Sequence, residues 1–116
     1  MADTHLDRDV LNALQEIMEG EYPTLLDTFL EDCETRLQQL HKAQSAAQLI
    51  EAAHSFKGSS SNMGALRLAA LCCRLEKSAT HSSKDDIQQL ITEIVSEFAI
   101  ARPLYEEERQ RFLMDR

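Results

Sequence analysis

The sequence predicts an all-α domain, an antiparallel four-helix bundle with an additional N-terminal cover helix. Apolar residues recur with the period of a helix along almost the whole chain. Only three glycines and two prolines occur among the 116 residues, which favours a few long helices joined by short turns. The hydrophobic content of 43% and charged content of 28% are typical of a globular chain, and we assign residues 1–116 to one domain.

The cover helix is predicted within residues 1–20, and Gly20 is expected to end it. Its apolar stripe consists of Val10, Leu14 and Ile17, with Leu11 and Met18 beside it. The bundle is predicted over residues 21–102. Its first helix opens at Glu21-Tyr22-Pro23, because proline is tolerated in a first turn. One face of that helix carries the apolar residues Leu26, Phe29, Leu30, Cys33, Leu37 and Leu40.

The next helix is expected to begin at Ser45, a suitable N-cap, and to end at Gly64, where a left-handed residue is needed. Its core-facing seam consists of Leu49, Ala53, Phe56, Ser60 and Met63. A further helix is predicted from about Ala65 to Thr80, with a stripe formed by Leu68, Leu71, Cys72, Leu75 and Ala79.

The last helix is capped by Ser82 or Ser83. Its predicted core face consists of Ile87, Leu90, Ile91, Ile94, Val95, Phe98 and Ala101. Pro103 must bend this helix or end it near Arg102. Residues 103–116 are therefore either a kinked helix extension or a tail, and the sequence leaves both open.

The bulk composition excludes several classes of protein. The formal charge is −8 and no cluster of Lys and Arg occurs, so neither nucleic acid nor an anionic membrane is an expected partner. The longest strictly apolar run, 68–73, is too short to span a bilayer. Three cysteines, two of them adjacent, do not suit a disulfide framework or a zinc site, and a reducing cytoplasm is the expected compartment.

One short segment points to chemistry. His54 is followed by Lys57 and Gly58, and at helical spacing these three positions share one face. On a helical wheel His54 lies off the apolar seam, toward solvent. Glycine in mid-helix costs about 1 kcal/mol relative to alanine, and here it opens space beside the imidazole. Lys57 would place a positive charge beside a phosphoryl group. The alternatives are close helix packing for Gly58 and an ordinary surface role for Lys57.

A metal site is a weaker interpretation of the same histidine. Glu51-Ala-Ala-His54 has the Glu-x-x-His spacing of a bundle metal centre, but the pattern occurs once where a di-metal site needs two. No metal and no cofactor are therefore expected in this chain.

The segment Ala53-His54-Ser55-Phe56-Lys57-Gly58-Ser59-Ser60-Ser61-Asn62-Met63-Gly64 resembles the signature of histidine-containing phosphotransfer (HPt) domains, in particular the free-standing bacterial type. The likeness continues through residues 25–32 and 65–76. One departure is Ala43-Gln44-Ser45, where many members have a Gly-Asp turn. The resemblance implies that His54 carries the phosphoryl group and that Lys57 and Gly58 support it. Glu76 then either orients the imidazole or is an ordinary exposed glutamate.

The resemblance further implies a phosphoryl carrier in a two-component phosphorelay, with receiver domains of hybrid sensor kinases and response regulators as partners. The divalent metal ion is expected in the receiver. No Walker-type Gly-rich loop occurs, so the chain is not predicted to be an enzyme or an autokinase. A monomer is expected, with a docking surface formed by Leu11, Ala47, Ile50 and Ser61. The alternative function is a helical adaptor without phosphoryl chemistry.

Overall fold

Five α-helices and one short 3₁₀ helix make up the computed structural model, which describes residues 5–115. No β-strand occurs within this range, and the all-α prediction is confirmed. The helices are α1 (Arg8–Met18), α2 (Tyr22–Lys42), α3 (Ala46–Asn62), α4 (Leu66–Ser78) and α5 (Lys84–Met114), with the 3₁₀ helix Glu19–Glu21 between α1 and α2.

Helices α2 to α5 form the predicted antiparallel bundle. Helix α3 packs against α2 and α4, and α5 packs against the same two helices, so α3 and α5 lie diagonally across the bundle. Tyr22 at the start of α2 contacts Phe112 near the end of α5, which shows the antiparallel direction of that pair. Helix α1 lies against α2 as the cover.

Polar caps explain where three of the helices begin. The side chain of Asp7 accepts hydrogen bonds from backbone N–H groups in the first turn of α1. Ser45 caps α3 through Gln48, as predicted. Ser83, one of the two serines considered, caps α5 through Asp86. Each cap satisfies a backbone donor that has no partner within the helix.

The bundle core is formed by the stripes that the sequence predicts, with one exception. The seam of α3 is buried at Ala53, Phe56, Ser60 and Met63, and the stripe of α4 is buried from Leu68 to Leu75. Cys33 and Cys72 are fully buried free thiols, and burial raises the pKa of Cys72 to about 12, which makes it unreactive. Val95 was expected in the core of α5, but it is exposed.

The cover helix is rotated relative to the predicted stripe. Leu11 is 0% exposed, whereas Ile17 is 75% exposed. Helix α1 packs through Leu11, Leu14 and Met18, a set with the same helical spacing as the predicted one. Its end also differs, because α1 ends at Met18 and Glu19, with φ at 48°, is the C-cap residue in place of Gly20.

Helix α5 continues through Pro103 to Met114, so residues 103–114 are a helical extension and not a tail. Packing explains why the helix persists. Tyr105 is fully buried, lies edge-on to Phe29 with ring centroids 5.1 Å apart, and donates a hydrogen bond of 2.7 Å to the carbonyl of Met63. These contacts offset the backbone hydrogen bond that proline cannot make.

The buried carboxylate of Glu108 links the extension of α5 to the cover helix α1. Glu108 accepts hydrogen bonds from Arg8 at 2.8 Å and from the hydroxyl of Tyr22 at 2.7 Å, and it also pairs with Arg111. Burial opposes ionisation of Glu108, but these donors together outweigh it and hold the pKa of the carboxyl below its ordinary value. The cluster was not predicted from the sequence, which left residues 103–116 as either a kinked helix extension or a tail.

The N-terminal segment pins the turn between α3 and α4. The N–H of Asp7 donates to the carbonyl of Gly64 at 2.7 Å, and the N–H of Leu66 donates to the carbonyl of His5. Gly64 has φ at 75°, and a side chain there would meet Asp7 and Val10. Nδ1 of His5 lies 2.7 Å from Oε2 of buried Glu97, which also attaches this segment to α5.

Within residues 5–115, every helix is too short or too polar to cross a membrane.

Replacing Glu108 with glutamine is expected to lower the free energy of unfolding by about 1–3 kcal/mol, because the buried hydroxyl of Tyr22 and the guanidinium groups of Arg8 and Arg111 lose a charged acceptor. Urea denaturation at neutral pH measures the loss. Glu107→Gln, at an exposed neighbouring position, is the matched control and should change stability by less than about 0.5 kcal/mol. Equal effects of the two substitutions would contradict the role of Glu108.

The same interaction predicts a pH dependence. Since the folded pKa of Glu108 is lowered, its contribution is present above the unfolded-state pKa of about 4.3 and is lost as the pH falls through the folded value. The stability difference between wild type and Glu108→Gln should therefore shrink on acidification below about pH 4. A difference that stays constant down to pH 2 would contradict this account.

Candidate functional site

His54 lies on the outward face of α3, where the helical wheel places it. Its side chain is 67% exposed, while the preceding residue, Ala53, is fully buried in the bundle core. The imidazole is thus held on a rigid helix and is open to an approaching molecule.

Glu76 joins His54 and Lys57 through the two oxygens of one carboxylate. His54 Nδ1 lies 2.8 Å from Glu76 Oε2, and Lys57 Nζ donates to Glu76 Oε1 at 2.7 Å. Glu76 reaches these side chains from α4, across the closely packed α3–α4 pair. Its side chain is 21% exposed, so the carboxylate lies partly beneath the surface that carries the imidazole.

The charge of Glu76 determines which imidazole nitrogen holds the proton. The hydrogen bond from Lys57 holds the pKa of Glu76 below its ordinary value, and the hydrogen bond to Glu76 raises the pKa of Lys57. An ionised carboxylate only accepts hydrogen bonds, so Nδ1 of His54 must donate in this contact. In the neutral ring the lone pair is then on Nε2, the nitrogen not bound to Glu76.

Gly58 lies beside the imidazole and is exposed. A Cβ atom built at this position would meet no heavy atom within 4 Å, in contrast to Gly64. Close packing therefore does not require a glycine here, and this alternative of the sequence analysis finds no support. What remains is open space on the face that carries His54.

The structure brings most of the predicted surface residues to this face but not all of them. Ala47, Ile50 and Ser61 all lie on α3; Ala47 and Ser61 are exposed, and Ile50 is half-buried. Leu11 was expected to contribute to the docking surface, and that prediction is wrong, since α1 buries this side chain completely against the bundle.

Glu76 is the residue for which the sequence left two roles open. It lies 22 positions from His54, so the contact depends on how α3 and α4 align. The sequence could have indicated this contact only through the residue spacing along two antiparallel helices, and that spacing depends on where the turn at Gly64 falls.

No group of three or more His, Cys, Asp or Glu side chains within residues 5–115 is arranged to hold a metal ion.

Comparison with known proteins gives a family and a structural neighbour. The model of the Hpt domain family matches residues 24–101. The crystal structure of histidine-containing phosphotransfer protein B (HptB) from Pseudomonas aeruginosa PAO1 is similar, with 51% sequence identity and a TM-score of 0.89. The match covers 95% of this chain and 98% of that chain. Among the curated proteins no match was found.

Replacing Gly58 with alanine is expected to raise the free energy of unfolding by about 0.5–1 kcal/mol, because alanine is the better helix former and the site has room for a methyl group. Thermal and urea denaturation measure the gain. Gly64→Ala is the contrasting variant and should destabilise the fold, since its φ of 75° and its close neighbours disfavour a side chain. A destabilised Gly58→Ala would show that packing requires the glycine after all.

Proposed function

The chain belongs to the Hpt domain family of phosphorelay phosphotransfer proteins, and on that premise we propose that His54 accepts a phosphoryl group from the aspartyl phosphate of a receiver domain. The group then passes to the aspartate of a response-regulator receiver. The observation that carries this proposal is the exposed imidazole whose Nδ1 is bound to Glu76, which leaves the Nε2 lone pair available.

The transfer step follows from that arrangement. Nε2 attacks phosphorus in line with the bond to the aspartate oxygen, the N–P bond forms, and the P–O bond breaks to release the aspartate carboxylate. The proton on Nδ1 stays in place, so the ring becomes positively charged as the bond forms. The carboxylate of Glu76 stabilises this charge at 2.8 Å. The reverse sequence delivers the group to the next aspartate.

Lys57 and Gly58 support the step in separate ways. Lys57 compensates the charge of Glu76 through a 2.7 Å hydrogen bond, which lowers the electrostatic cost of bringing a phosphoryl group near that carboxylate. Gly58 leaves the approach to the ring open. Both residues lie within one turn of His54 on α3.

The partner supplies what this chain lacks. Phosphoryl transfer is assisted by a divalent ion that bridges phosphate oxygens and carboxylates, and we assign this ion to the receiver's own acidic pocket. The chain has no nucleotide-binding loop in its sequence, so its role is that of a carrier that others load. The proposed compartment is the cytoplasm, where free thiols such as Cys33, Cys72 and Cys73 persist.

The direct test is transfer of labelled phosphate from a phosphorylated receiver domain to the purified chain. Wild type is expected to acquire an acid-labile, base-stable label, and His54→Gln none. A helical adaptor without phosphoryl chemistry would bind the receiver, and neither wild type nor His54→Gln would acquire label. Label of equal strength on wild type and on His54→Gln would place the acceptor elsewhere.

Gly58→Gln is expected to keep the fold while transfer falls, because a long side chain fills the space beside the ring. The initial rate of label transfer, compared with that of Gly58→Ala, measures the effect of side-chain length at constant fold. A rate for Gly58→Gln equal to that of wild type would exclude the approach role of Gly58.

Replacing Glu76 with leucine should slow transfer about 10- to 100-fold, as loss of an orienting partner does at metal-bound histidines. Glu76→Gln keeps an oxygen that accepts from Nδ1 but loses the negative charge, so its rate should lie between those of wild type and Glu76→Leu. Nitrogen-15 NMR of the His54 ring provides the second measurement, since the Nδ1-protonated tautomer should dominate in wild type and Glu76→Gln. If Glu76→Leu kept both the tautomer and the rate, Glu76 would be an ordinary surface glutamate.

A further inference from the structure

Charge is distributed unevenly between the α3–α4 pair and the rest of the molecule. Residues 46–78 contain four Lys or Arg and two Asp or Glu, a formal charge of +2. Since the whole chain carries −8, the remaining residues carry −10. The two helices that form the phosphorylation site are thus the positive part of an acidic protein.

Two of these positive charges are not neutralised by a neighbour. Among residues 5–115, most Lys and Arg side chains form an ion pair within the chain, and the exceptions are Lys42, Arg74, Lys77 and Lys84. Arg74 and Lys77 both lie on α4, exposed, on either side of Glu76. Lys77 directly follows the residue that contacts His54, so it lies at the level of the imidazole along the bundle.

The surface around these cations is otherwise small or apolar. We define the α3–α4 face as the exposed outer side of the two helices, formed by Ala47, His54, Gly58, Ser61, Leu66, Ala70 and Lys77. Leu66 is 46% exposed and contributes apolar surface to this face. The exposed acidic residue of α3, Glu51, lies one turn before His54 and lines a groove shared with Arg36 and Lys42 of α2.

We propose that Lys77, with Arg74, attracts the acidic rim of the receiver's phosphorylation pocket when the receiver docks over His54. The proposal rests on the phosphotransfer function of His54. It adds a contribution from α4 and replaces buried Leu11 as the second element of the docking surface.

The chemistry of the donor favours this partner. An aspartyl phosphate is itself anionic, and the divalent ion beside it needs further carboxylates to hold it. The rim of such a pocket is negative, and it would be repelled by a surface that carries the average charge of this chain. A local positive patch raises the rate at which the two proteins meet and orients the receiver as it approaches. Salt weakens both effects.

The same charge argument explains why the opposite side of the bundle is not expected to bind the receiver. Helix α5 lies diagonally from α3, and its exposed residues from Gln88 to Pro103 include apolar ones but no lysine or arginine. Arg102 in this stretch is half-buried and paired with Glu34. Between Gln88 and Pro103 an acidic partner finds no uncompensated cation.

The experiment compares Lys77→Glu with Lys84→Glu, an exposed and unpaired lysine on α5. Both variants change the net charge equally, so a difference between them is local. Rapid-quench transfer from a phosphorylated receiver yields the second-order rate at low receiver concentration and the first-order rate at saturation. Lys77→Glu is expected to lower the second-order rate about tenfold at low salt and less at high salt, with the first-order rate unchanged.

Three outcomes would overturn the proposal: equal second-order rates for the two variants, an effect that salt does not weaken, or a loss confined to the first-order rate. Each of these leaves the phosphotransfer function intact, because it is measured while transfer to wild type proceeds. Failure of the proposed function is a different result, namely no label on wild type at any salt or receiver concentration.

Discussion

The register between α3 and α4 is the constraint on which the site depends. Glu76 reaches both His54 and Lys57 with hydrogen bonds below 3 Å, and a slip of one residue along α4 would turn its carboxylate about 100° away. The register is set at the turn, where Gly64 takes φ at 75° and the N–H of Ala65 donates to the carbonyl of Ser60 at 2.8 Å. The buried side chains between the two helices then hold the alignment along their length.

The two ends of the described chain hold this turn from outside. The N-terminal segment donates from Asp7 to the carbonyl of Gly64, and the α5 extension donates from Tyr105 to the carbonyl of Met63. Glu108 connects both elements through Arg8. These residues lie outside the family match at 24–101, yet they satisfy backbone groups at the end of the helix that carries His54. Their role is to support the active helix and not to take part in the chemistry.

Local patterns predicted most of the fold and part of the site. The helices and the caps at Ser45 and Ser83 follow from periodicity and short-range hydrogen bonding, and His54, Lys57 and Gly58 lie within five residues of one helix. The predictions that were wrong or left open depend on tertiary contacts. The facing of α1 was wrong because Leu11 and Ile17 are both apolar, and only packing against the bundle selects between them. The sequence left the conformation of residues 103–116 open, because the helix over residues 103–114 depends on the burial of Tyr105, which local propensity does not reveal.

In the proposed transfer, the hydrogen bond from Nδ1 of His54 to Glu76 also limits the identity of the product. An imidazole with both nitrogens accessible would yield two positional isomers of phosphohistidine that differ in lability and in the direction of the N–P bond. A ring that offers Nε2 alone yields a single isomer, so every acceptor meets the phosphorus at the same place and along the same axis. Loading and unloading then follow one path in opposite directions, which is the condition for a carrier to serve donor and acceptor domains of the same design.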